Sequence, residues 1–215
     1  PIDIRTGLLN AAAAVANAPG YQAPPTGSAP LGDSDGGGGG GCVAAGSGPR
    51  EVLWFGLLGV LLTGYAILDG FDLGLGILFP FAATDADRDV MMNSVAPVWD
   101  GNETWLVLGG GGLFAAFPKA YAALMPAVYM PIGFMLIALI FRGVAFEFRF
   151  KASDEGKRIW DQAFHWGSVV ATFSQGLVLG SIVQGVDLAD GRFVGGMYDW
   201  LTPFNFVVGC AMVWG

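Results

Sequence analysis

Charge is what this sequence has least of. Only 13% of its 215 residues are Asp, Glu, Lys or Arg, against about 25% in an ordinary soluble domain. Hydrophobic residues make up 53%. A chain of this composition has too little polar surface for a water-soluble globular fold. Cysteine is nearly absent: Cys42 sits in a glycine-rich stretch and Cys210 in an apolar run, which excludes a disulfide framework and any zinc-type spacing. His165 is the single histidine, and one imidazole cannot build a metal or haem site alone. Basic runs are also missing. The net charge of −8 is spread thinly, and nothing points to a nucleic-acid partner.

What the chain does have is aromatic and glycine residues, with 16 Phe, 7 Trp and 35 Gly, both types being enriched in helical membrane proteins. The first fifty residues differ in kind from the rest. They are rich in Gly, Ala, Pro and Ser and contain a glycine run from Gly36 to Gly41. Such a segment buries too little apolar surface to offset its ordering entropy. Residues 1–50 are therefore expected to be a disordered tail of no catalytic value, without the basic start and apolar stretch of a signal peptide.

From Val52 the sequence is apolar, and about 20 apolar residues suffice to cross a bilayer. "VLWFGLLGVLLTGYAIL" opens a first span over about 52–74; the apolar character resumes after "DGFD" as "LGLGILFPFAA", an interfacial or broken continuation to about 82. A charged loop, "TDADRDVMMNS", follows. A second span is expected from about Trp99–Thr104 to Phe117, a third up to Arg142, and a fourth from His165 to Val183. A fifth begins near Pro203 and reaches Gly215 before it is long enough to cross. The expected fold is thus an all-α, polytopic transmembrane bundle of about four spans plus the start of a fifth, with 51–215 as one membrane domain that stops in mid-span. Arg142, Arg149, Lys151, Lys157 and Arg158 cluster in or beside one loop. Loops rich in Lys and Arg stay cytoplasmic, so loops near 83–98 and 143–164 are expected inside and the N-terminus outside.

Three acidic stations lie at or within the apolar segments: Asp69 and Asp72 in "DGFD", Asp100 and Glu103 in "WDGNE", and Glu147 in "FRGVAFEFRF". A carboxylate at membrane depth costs a few kcal/mol, so it faces a protein interior or water, and it can serve as a proton relay. Plainer roles are open for each. Asp100 and Asn102 precede a helix and suit capping; Glu147 can form an interfacial ion pair with Arg142 or Arg149. Gly109, Gly110, Gly111 and Gly112 let helices approach backbone to backbone. His165 is expected at a helix start, in a structural role.

Three stretches, "GYAILDGFDLGLGILFPF", "RDVMMNSVAPVWDGNETWLVLGGGGLFAAFPKAYAAL" and "LIFRGVAFEFRFK", together resemble subunit II of the cytochrome bd-type quinol oxidases, including the cyanide-insensitive branch. The resemblance covers roughly residues 51–215 and corresponds to the N-terminal half of that subunit; the first fifty residues have no counterpart. It implies a bacterial inner-membrane complex that oxidises ubiquinol or menaquinol and reduces dioxygen to water. It further implies a haem-bearing subunit I as partner, holding haems b and d, while this chain binds no cofactor of its own, stabilises that partner and contributes to proton uptake. Asp100 matches the residue assigned to a proton entrance, Glu147 matches an Asp or Glu position, and Trp99 would pack near the subunit interface with Asn102, Arg142 and the four glycines as further packing residues. Two other functions are open: a proton-coupled transporter, for which the "DGFD" break would be a discontinuous helix, and a purely structural scaffold.

Overall fold

The computed structural model describes residues 49–189 and 192–215. The expectations for residues 1–48, including Cys42 and the glycine run, lie outside the described residues. Six helices follow in order: α1 (Pro49–Leu78), α2 (Asp85–Val95), α3 (Trp99–Ala116), α4 (Pro118–Arg149), α5 (Asp154–Gln184) and α6 (Pro203–Trp214). A 3-10 turn, Phe79–Phe81, extends α1, and two short antiparallel strands, β1 (Leu188–Ala189) and β2 (Arg192–Phe193), form a ribbon between α5 and α6.

The chain is an all-helical bundle of the membrane type. Three helices are long and apolar enough to cross a bilayer: Pro49–Phe81, Pro118–Arg149 and Glu155–Gln184. The expected second span, α3, is not among these three. α3 has 18 residues, about 27 Å at 1.5 Å per residue, but Asp100, Asn102 and Glu103 crowd its first turns and lower its apolarity. α6 is a shorter apolar helix of 12 residues.

Two further expectations are corrected. α1 runs unbroken through "DGFD", because Asp69 and Asp72 are three residues apart and point to one buried face. The charged loop after it is largely helical. Thr84 caps α2 by accepting from Asp87 N–H at 3.1 Å, while the Asp87 carboxylate accepts from Thr84 N–H at 3.0 Å. This reciprocal box satisfies donors that a helix start otherwise leaves open.

α5 is the central helix, in contact with α1, α4 and α6, whereas α1 and α3 pack mainly on each other and leave wide apolar faces outward. Glycine sets the closest crossings. A Cβ on Gly76 would lie 1.9 Å from Ser168 Oγ, so α1 and α5 meet only because that position is bare. On Gly176 it would lie 2.5 Å from Gly209 Cα and 2.8 Å from the Val208 carbonyl, which brings α5 and α6 together backbone to backbone. Of the four consecutive glycines on α3, Gly109 and Gly112 receive Leu62 and Leu58 of α1, while Gly110 and Gly111 have nothing within 4 Å. Apolar packing forms two centres, one of Leu73, Met135, Ala138, Leu139 and Ala171, the other of Phe79, Met92, Val95, Ala145, Phe146 and Phe164.

Gly176→Ala is expected to destabilise the fold by about 1–3 kcal/mol through overpacking. Gly74→Ala, where a Cβ meets nothing within 4 Å, should be neutral or slightly stabilising. Thermal unfolding of the two variants in detergent checks the contrast, and equal melting temperatures would show that the α5–α6 crossing tolerates separation.

Candidate functional site

The polar centre of the bundle is Arg142 on α4, fully buried. Its Nη1 donates to Asp69 Oδ1 of α1 at 3.0 Å and to Glu103 Oε1 of α3 at 3.1 Å. Its Nη2 stands 3.6 Å from Asp72 Oδ2. Asn102 of α3 donates its amide to Asp72 Oδ2 at 2.8 Å and, at 3.4 Å, to the Leu68 carbonyl. Asp69 and Asp72 are completely inaccessible, and the Glu103 side chain retains 22% exposure.

Local sequence explains the convergence. The i, i+3 spacing of Asp69 and Asp72 puts both on one face of α1. Asn102 and Glu103 occupy neighbouring positions on α3, and Asn102 reaches Asp72 while Glu103 reaches Arg142. Arg142 supplies a planar fork of donors able to serve several carboxylates at once. Charge and hydrogen bonding nevertheless remain incomplete. One guanidinium faces three carboxyl groups, and Asp69 Oδ2, Asp72 Oδ1, Arg142 Nε and Arg142 Nη2 have no hydrogen-bond partner. Buried polar atoms without partners are exceptional in folded proteins.

The cluster has a neighbour in the bundle interior. Gln175 of α5 donates to the Tyr65 hydroxyl at 2.5 Å, which leaves the tyrosine proton free to point elsewhere, and Tyr65 is close enough to interact with Asp69.

A second buried arginine stands two helical turns further along α4. Arg149 Nε donates to Asp161 Oδ1 of α5 at 2.5 Å, and its Nη1 pairs with Asp89 of α2. Arg88 of α2 is 3.7 Å from Asp161 Oδ2 and 2.9 Å from Asp85. The Arg149 guanidinium also lies over the Phe79 ring, 5.5 Å from its centroid.

Of the residues singled out from the sequence, Asp69, Asp72, Asn102, Glu103 and Arg142 therefore come together. Asp100 and Glu147 do not. Asp100 is exposed on the first turn of α3, where its carbonyl accepts from Thr104. The expected helix cap is corrected: the N-cap is Val98, without a side-chain bond, and Asn102 is turned to Asp72 instead. The expected pairing of Glu147 with Arg142 or Arg149 is likewise corrected. Those residues are five and two positions away and lie off its helix face, whereas Lys151, four positions on, pairs with it at 3.2 Å. Trp99 stacks on Phe146 at 5.1 Å between centroids and packs against Gly143. His165 falls inside α5, not at its start, and its Nδ1 is bonded to the Gly76 carbonyl at 3.0 Å.

Sequence reasoning missed Tyr65, Gln175, Asp89 and Asp161, and took Arg149 only as a topology signal and a possible partner of Glu147. The seven-residue spacing of Arg142 and Arg149 was available as a cue, since it puts both on one face of a span. Among the described residues no group of three or more His, Cys, Asp or Glu could hold a metal ion.

Fold and site together define an integral membrane protein whose helices are joined around buried arginine–carboxylate clusters. Residues 50–215 match the family described as cytochrome bd terminal oxidase subunit II, and the chain belongs to that family. It is 38% identical over 168 residues to cytochrome bd-I ubiquinol oxidase subunit 2 of Escherichia coli strain K12, a match covering 75% of this chain and 44% of that protein. It is 36% identical over 160 residues to cytochrome bd ubiquinol oxidase subunit 2 of Bacillus subtilis strain 168, covering 73% and 47%. A probable cytochrome oxidase subunit 2 of Haemophilus influenzae is 35% identical over 164 residues, covering 73% and 43%. The chain thus spans less than half the length of these curated relatives.

Removing the central cation leaves three carboxylates facing one another. Arg142→Met is expected to cost about 3–5 kcal/mol, as for other buried ion pairs broken on one side. Lys151→Met, at an exposed pair, should leave the melting temperature unchanged. Thermal unfolding in detergent checks both, and an Arg142→Met protein as stable as the parent would show that the cluster does not hold the helices.

Proposed function

We propose that this chain is a supporting and proton-conducting subunit of a bacterial quinol oxidase, in which a haem-bearing partner oxidises ubiquinol or menaquinol and reduces dioxygen to water. The observation that carries it is the buried cluster of Asp69, Asp72 and Glu103 around one arginine, in a chain of the subunit II family. Reduction of one dioxygen to two waters consumes four protons, and in a membrane these need a route through protein. One guanidinium cannot balance three ionised carboxylates, and a proton is the smallest counter-charge for such a site.

On this reading protons are collected from the cytoplasm at Asp100, exposed at the start of α3, and pass to Glu103 one turn away, then to Asp72 and Asp69. Glu147, exposed beside Lys151, is a second collecting group. The orientation rests on the arginines and lysines of the 143–164 loop. Haem would supply the redox chemistry in the partner subunit when bound; this chain's residues hold and move protons and keep the helices that face the partner in place. A scaffold role is the second reading, favoured by the way Arg142 ties α1, α3 and α4 together. The transporter reading loses its support, since α1 has no discontinuity at "DGFD".

In the full-length complex, Glu103→Gln and Asp72→Asn are expected to slow quinol-driven oxygen uptake on the order of ten- to a hundredfold, within the range for loss of a proton-transferring group. Haem absorbance should stay unchanged. Loss of haem in parallel with activity would favour the scaffold reading. An Asp100→Asn complex with full activity and full haem content would remove Asp100 from the route.

A further inference from the structure

At the end of the bundle that carries the arginines, a cavity of about 430 Å³ opens between the 3-10 turn, α2 and α5. Its wall is Phe79, Pro80, Arg88, Arg158, Asp161 and Gln162. The unused hydrogen-bonding capacity of that wall is one-sided. Arg88 donates from Nη1 to Asp85, but its Nε is buried with no partner. Arg158 is exposed and forms no ion pair among the described residues. Gln162 accepts from Trp166 Nε1 at 3.1 Å through its Oε1, so its amide nitrogen is the pole left over. The one acidic wall residue is already engaged: Asp161 Oδ1 takes Arg149, and Oδ2 faces Arg88.

Three spare donor groups, two of them cationic, surround a space whose carboxylate is neutralised from behind. The complementary ligand is an acceptor-rich anion. We propose that this cavity binds a phosphate group, held by Arg88, Arg158 and Gln162. Phe79 and Pro80 give it an apolar floor where α1 leaves the membrane, and Phe81 beside them is 81% exposed. A phosphate carrying acyl chains meets this geometry better than a free ion, because its chains continue along the apolar face of α1. Basic pockets between helices at a membrane edge recognise anionic headgroups in this way, and guanidinium forks match phosphate oxygens two at a time. The site is separate from the Arg142 cluster and does not depend on the oxidase reading.

The full-length protein, in its complex or alone in detergent, is delipidated and examined by native mass spectrometry with phosphatidylglycerol, phosphatidylcholine or inorganic phosphate added. Phosphatidylglycerol is expected to remain bound, phosphatidylcholine to bind more weakly, and Arg158→Gln to weaken phosphatidylglycerol retention about fivefold, the effect of one basic side chain near an anionic headgroup. Arg158 is exposed and unpaired among the described residues, so this variant is expected to fold, which its melting temperature checks; Arg88→Gln combined with it should deepen the loss. If inorganic phosphate in excess displaces the lipid, the phosphate site stands and the headgroup alone is what it recognises. If inorganic phosphate binds and the lipid does not, the site stands with a soluble ion as its ligand. Retention of phosphatidylglycerol that is equal in the parent and both variants, or no binding of either phosphate compound, overturns the proposal.

Discussion

The structure depends on a single guanidinium placed where water does not reach. Arg142 is fully buried, and an unpaired charge there would cost several kcal/mol. The chain meets that cost by bringing carboxylates from two other helices to it, Asp69 and Asp72 from α1 and Glu103 from α3. Between membrane helices the hydrophobic effect supplies no net attraction, because lipid tails are as apolar as leucine. Directional contacts must then set which helices meet and at what height. Arg142 does this for three helices at once, and the glycine approaches at Gly76 and Gly176 do it for α5.

Arg149 repeats the arrangement two turns further along the same face of α4, tying α2 and α5 through Asp89 and Asp161. Between the two arginines lies an aromatic layer in which Trp99 stacks on Phe146 and Phe146 meets Phe164 edge to face. Polar, aromatic and polar layers therefore succeed one another along α4. This order keeps the clusters apart, and each arginine has its own set of acids.

The sequence made the helical membrane class legible because it rests on composition and on long apolar runs, which need no tertiary information. It also yielded most of the Arg142 cluster, since "DGFD", "WDGNE" and "FRGVAFEFR" are conspicuous inside apolar surroundings. Which acid pairs with which arginine was not legible. Glu147 is nearer to both arginines in sequence than Asp69 is, yet helix periodicity turns it outward to Lys151, and Asp69 reaches Arg142 from 73 residues away. Asp89 and Asp161 were passed over because they lie in stretches polar enough to look like surface. The helix α2 was missed because its capping box uses Asp87 in place of the more usual glutamate or glutamine.

The two proposed roles, supporting and proton-conducting, are compatible within one cluster because different atoms would serve each. The bonds that hold the helices are those of Arg142 Nη1 to Asp69 Oδ1 and Glu103 Oε1, and of Asn102 to Asp72 Oδ2. The oxygens left without partners are Asp69 Oδ2 and Asp72 Oδ1. A proton can be taken up on those spare oxygens while every helix-holding bond stays in place. A site meant only for stability would gain from pairing these atoms or from replacing the whole cluster with well-packed apolar side chains. That the chain keeps them buried and unpaired beside a fixed positive charge is the physical reason for proposing more than a holding role.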